Sequence, residues 1–121
     1  MLELIDLTTN KAIGALSFIK GETRTISLQV IESGIAKNIT GYTFKFAAKE
    51  KFSDTAYKIN VIAGAITDAV NGKLTLTLNA ADIDVAFRGV YEIAMYDALL
   101  KKTVLTQPRG LPVAVHEDII D

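Results

Sequence analysis

The sequence predicts an all-β domain, a sandwich of two antiparallel sheets with about seven or eight strands. Three observations predict it. Apolar residues recur at every second position along the chain, turn residues separate these stretches at intervals of roughly 8 to 12 residues, and no long segment carries a helical period. Period two puts alternate side chains on opposite faces of an extended strand, so each stretch buries one face and leaves the other to water.

Residues 1–14 precede the regular pattern and are expected to be an N-terminal arm or an extra edge strand, ahead of a sandwich domain spanning 15–116. Ala15 to Ile19 is a weaker strand candidate, followed by a Lys20-Gly21 turn. Arg24 to Val30 is a half-buried strand, with Ile26, Leu28 and Val30 sharing the inner face, and Ser33-Gly34 reverses the chain. Tyr42, Phe44, Phe46 and Ala48 alternate with Thr43, Lys45 and Ala47 in the next strand. Lys49 to Thr55 is polar and irregular, which predicts a longer loop or a crossing between sheets. Ala56 to Ile62 is a second weak candidate.

Asn71-Gly72 supplies a tight reversal, because both residues tolerate positive φ, and Leu74, Leu76 and Leu78 follow on one strand face. The stretch near 80–86 is alanine-rich, with Ile83 and Phe87 four apart, and predicts at most one short helical turn. Val90 to Met95 alternates around Tyr91, Ile93 and Met95, with Asp97 marking the turn beyond it. Lys102 to Gln107 is a third weak strand. Arg109-Gly110 then precedes Leu111 to Val115, whose Pro112 suits an edge or a strand start, and residues 117–121 are read as a C-terminal tail.

A chain of 121 residues with 50% hydrophobic and 22% charged residues is long enough to bury one core. A net charge of −1 gives no electrostatic ground for binding nucleic acid or an anionic membrane. With no cysteine there is no disulfide, thiolate nucleophile or sulfur-ligated metal, and stability rests on packing. The segment from Met1 to Asp6 is acidic where an export signal would be basic, so no signal peptide is read. Apolar runs such as Val61 to Ile66 fall short of the roughly 20 residues needed to cross a bilayer.

Residues able to do chemistry are sparse. His116 is the one histidine, and it alternates out of phase with Val113 and Val115, which points it to solvent. Asp82 with Asp84, and Glu117 with Asp118, are read as solvated carboxylates, since no calcium-loop pattern surrounds them. The glycines stand singly at turns without a following helix, so they form no phosphate cradle. The chain is therefore expected to be no enzyme and to hold no metal or cofactor. Asp84, Gly89 and Tyr91 lie where a loop enters a strand, as a tyrosine corner does in immunoglobulin-like sandwiches. The expectation is that the Tyr91 hydroxyl bonds back to that loop. Asn71 and Gly72 complete the structural candidates.

Several motifs then occur in a fixed order: Lys20-Gly21-Glu22-Thr23, Asn38-Ile39-Thr40-Gly41-Tyr42-Thr43-Phe44, Ile66-Thr67-Asp68, Asn71-Gly72-Lys73-Leu74, Arg88-Gly89-Val90-Tyr91-Glu92-Ile93 and Gly110-Leu111-Pro112-Val113-Ala114-Val115. In that succession the chain resembles the small immunoglobulin-like sandwich proteins of tailed bacteriophages and prophages, including the N-terminal domain of baseplate upper proteins, over about Phe18 to His116. The resemblance implies a noncatalytic virion structural or assembly protein, in a tail, baseplate, fibre or head-associated module. It would be assembled in the bacterial host cytoplasm and act through contacts with other virion proteins or with itself. The alternative is an adhesion module that binds host-surface carbohydrate through the loops at one end. The apolar positions Leu2, Leu4, Ile5, Leu7, Ile119 and Ile120 are candidate partner-docking residues.

Overall fold

Alternation along the chain becomes twelve strands in the computed structural model, which describes residues 2–106 and 110–117. They are β1 (Leu2–Asp6), β2 (Lys11–Ala12), β3 (Leu16–Ile19), β4 (Arg24–Glu32), β5 (Ile35–Ala36), β6 (Thr43–Lys49), β7 (Ile59–Ala63), β8 (Ala65–Asp68), β9 (Lys73–Leu78), β10 (Phe87–Tyr96), β11 (Lys102–Val104) and β12 (Leu111–His116). One sheet runs β2-β1-β4-β9-β8, with β5 also on β4. The other runs β3-β12-β10-β6-β7, with β11 also on β10. The fold is thus the all-β sandwich that the alternation predicts.

The inner faces carry the expected stripes. Leu28, Val30, Leu74 and Leu76 from the first sheet meet Phe44, Phe46, Tyr91 and Ile93 from the second, all at most 1% exposed. Each such side chain removed from water contributes about 1.5–3 kcal/mol.

The structure adds to the predicted plan and corrects parts of it. Besides the eight predicted strands there are four more, β1, β2, β5 and β8, of which β1 and β2 fall in residues 1–14, where an arm or an extra edge strand was expected. Two of them are only two residues long, too short to show a period. Residues 2–6 form a strand paired with both β4 and β2, and Leu4 lies in the core at 3% exposure. The pairing is not wholly antiparallel: β3 runs parallel to β12, with Leu16 opposite Val113. Near 80–86 there is a turn and no helix, within the expectation of at most one short helical turn. Asp82 N–H donates to the Asn79 carbonyl at 2.9 Å while the Asp82 carboxylate accepts Asn79 N–H at 2.8 Å, and this local exchange closes the reversal before a helical turn is complete.

The irregular stretch after β6 stays within one sheet, because β6 and β7 pair with each other. The passage between sheets comes later, at Gly64, between β7 and β8. A matching passage occurs between β2 and β3, through residues 13–15.

Candidate functional site

The residues singled out from sequence are not gathered into one site. His116 is on the surface with its Nε2 3.0 Å from Ser17 Oγ on the neighbouring β3. Asp84 is exposed in the turn before β10. At Gly89 a Cβ would fall 2.0 Å from the Lys49 carbonyl oxygen, so the chain leaving β6 passes where any side chain would stand. Gly72 has φ +69°, and the Asn71 backbone and side-chain amides donate to the Asp68 carboxylate. Those two hydrogen bonds hold the Asp68 carboxyl below its ordinary pKa.

Tyr91 requires a correction. Its hydroxyl donates to the Gly14 carbonyl, 77 residues away in sequence, and not to the loop that holds Asp84. The cause is its place on the inner face of β10, where the ring stacks on Phe46 at 5.5 Å and reaches across to the passage between β2 and β3. Burial, reinforced by the nearby Asp6 charge, pushes the phenol above its ordinary value.

Among the proposed docking positions, Leu4 is buried and Leu2 packs against the core, so both are committed inside the domain. The reason is that β1 sits between β2 and β4 and must turn one face inward. Ile5 and Leu7 are half-buried, and Ile119 and Ile120 lie outside the described residues.

The surface feature that stands out is a groove of about 440 Å³ on the outer face of the second sheet. Its floor is small because Ala47 of β6 and Ala94 of β10 occupy positions where neighbouring outward residues are long. A bulge in β7 between the pairs Phe46–Ile62 and Ala48–Ile59 sets Val61 beside Ala47, half exposed. Around this floor three lysines are each held by a partner. Lys45 Nζ lies 5.0 Å from the centre of the Tyr96 ring, and Lys49 Nζ lies 5.2 Å from that of Tyr57. Lys102 Nζ is 3.1 Å from Glu92 Oε1, which raises the Lys102 pKa. Phe52, 50% exposed, forms part of the wall.

Sequence reasoning missed this groove, since Lys45 and Ala47 looked like an ordinary wet strand face. The signal was there in the alternation Lys45-x-Ala47-x-Lys49, two cations flanking a methyl group on one face.

A second exposed feature is the tip joining β10 to β11. The Asp97 carboxylate accepts the N–H groups of Leu99 and Lys101, both at 2.9 Å, and this wraps the turn so that Leu99 is 90% and Leu100 78% exposed. Leu100 adopts φ +63°, a left-handed conformation that a leucine side chain disfavours.

The described surface thus combines a cation-lined groove on one outer face of a two-sheet sandwich with two exposed leucines at one tip. The family model of the BppU N-terminal domain matches residues 4–97, and the chain belongs to that family, a phage baseplate-associated β domain. The match begins inside β1 and ends at Asp97, so it starts and stops earlier than the motifs in the sequence suggested. Among solved structures, the N-terminal domain of phage TP901-1 ORF48 is similar at TM-score 0.53 and 14% identity, over 87% of this chain and 85% of that one. Murine CRIg gives a TM-score of 0.45 at 11% identity, over 98% of each chain. No curated protein matches.

Proposed function

We propose that this chain is a noncatalytic structural module of a phage or prophage tail that works by binding other virion proteins. The observation that carries the reading is the family match over residues 4–97, most of the sandwich. The exposed surface supports it: the groove and the Leu99-Leu100 tip leave apolar area exposed, and exposed apolar area of this kind marks interaction sites. Strand edges contribute less than the sequence suggested, since the outermost strands β2, β3, β7 and β8 are two to five residues long.

The carbohydrate alternative depended on loops at one end of the sandwich. In the groove, Lys49 and Lys45 each take up one face of Tyr57 and Tyr96, which reduces the ring area left for saccharide stacking. The direct test is mass spectrometry and immunogold labelling of purified virions produced by the strain that carries the gene. The expected result is the protein in intact particles, with label at the tail end. Its presence in the lysate and absence from purified particles would overturn the reading.

A further inference from the structure

We infer that the groove on the second sheet is the seat for residues 117–121 of a second copy of this chain, giving head-to-tail association; the inference deepens the protein-contact reading above. Lys45 and Lys49 lie four residues apart on β6 and project to the same outer face, which separates them by about 14 Å along the strand. Ala47 lies midway with Val61 beside it, leaving an apolar recess between two ammonium groups. An extended peptide laid along this face presents every second side chain downward at the same repeat. It complements the groove when it reads acidic, any, apolar, any, acidic. The chain carries that pattern in Glu117-Asp118-Ile119-Ile120-Asp121.

Charge favours the same occupant. The groove holds Lys45, Lys49 and Lys102 against Glu92, and Glu92 is already paired with Lys102. Among the described residues Lys45 and Lys49 have no carboxylate in salt-bridge reach and rest instead on Tyr96 and Tyr57. Ring support holds each ammonium in place, so little side-chain freedom is lost when a carboxylate arrives.

The segment has to come from another copy. In its own domain the chain at Glu117 lies beside β3: the His116 carbonyl accepts Lys20 N–H at 2.8 Å, and the Glu117 carboxylate is 3.9 Å from Lys20 Nζ. β3 is three strands away from β6, about 14 Å across the sheet, which keeps Glu117 from the lysines of its own groove. The Lys20–Glu117 contact is long and exposed, so releasing it costs little. Because tail and groove are different surfaces, the contact is heterologous and propagates into a ring or a short filament.

Sedimentation velocity and light scattering of the purified full chain test this, across a wide range of protein concentration and at low and high salt. The wild type is expected to gain mass with concentration and to lose it with salt. The pair Lys45→Glu and Lys49→Glu, and separately the pair Glu117→Lys and Asp121→Lys, each weaken association at least about tenfold. Mixing the two variants restores it, which a folding defect could not do. Alternation adds a phase test: Ile119→Asp abolishes association, while Ile120→Asp leaves it near wild type. A wild type that stays monomeric throughout would overturn the inference, whether or not its groove takes an acidic segment of another protein. So would a mixture that fails to associate, or equal effects at Ile119 and Ile120. None of these results bears on whether virions contain the protein, so the two readings fail separately.

Discussion

The Tyr91 hydroxyl joins the second sheet to the chain passage at Gly14, and its ring packs on Phe46 in the core. Tyr91→Phe keeps the ring and removes the hydrogen bond, leaving a carbonyl without its donor, and should lower stability by about 1 kcal/mol. The phenol pKa is raised on folding, so its contribution is complete below the ordinary value of 10.0 and is lost as pH climbs through the folded value. Urea denaturation at stepped alkaline pH should show stability falling above about pH 10 in the wild type, with a flatter profile in the variant. Sequence showed that Tyr91 faces inward, because it falls in phase with Ile93 and Met95. It could not show the acceptor, since nothing local marks a carbonyl 77 residues away as the neighbour. Gly89 was legible only as a glycine near a strand; the reason for it, the Lys49 carbonyl crossing its Cα, is a tertiary fact.

At the scale of elements, strands formed where alternation predicted them, the three weak candidates that became β3, β7 and β11 included, and the sequence fell silent only at the shortest or interrupted segments. β1 is the instructive case. Its pattern Leu2-Glu3-Leu4 is brief, so residues 1–14 read equally as an arm, yet β4 pairs with it from Leu28 to Glu32 and draws Leu4 into the core. Leu4→Ala should therefore destabilise by about 2–5 kcal/mol, as expected for a core leucine and not for a docking side chain, and thermal unfolding followed by circular dichroism would measure it. A change near zero would return β1 to the status of an arm. β5 and β2 escaped because two residues define no period, and β8 because Gly64 interrupts one apolar run and so divides it between two sheets. The groove escaped for a related reason: its shape depends on the β7 bulge and on Tyr57 folding back over Lys49, neither of which is a periodic signal.

At the scale of the whole molecule, one core joins the two sheets, so the domain should unfold as a unit. Far-ultraviolet dichroism, which follows all strands, and tyrosine fluorescence, which follows Tyr42, Tyr57, Tyr91 and Tyr96 in or beside strands of the second sheet, should give coincident denaturation curves. Leu28→Ala in the first sheet should shift both together, and two separable transitions would reject the single core. The manner in which the chain moves between layers has its own consequence. At one flank β2 hands over to β3 through Gly14, and at the other β7 hands over to β8 through Gly64, where an added methyl would press on Phe44 at 3.0 Å and Leu74 at 3.2 Å. Both flanks are seamed by continuous backbone, which makes the object a flattened tube more than a stack of two plates. Tubes do not fray from the side. Lateral recruitment of like strands, the first event in fibril growth, finds no long straight margin to copy, and the domain gains resistance to that fate from its topology alone.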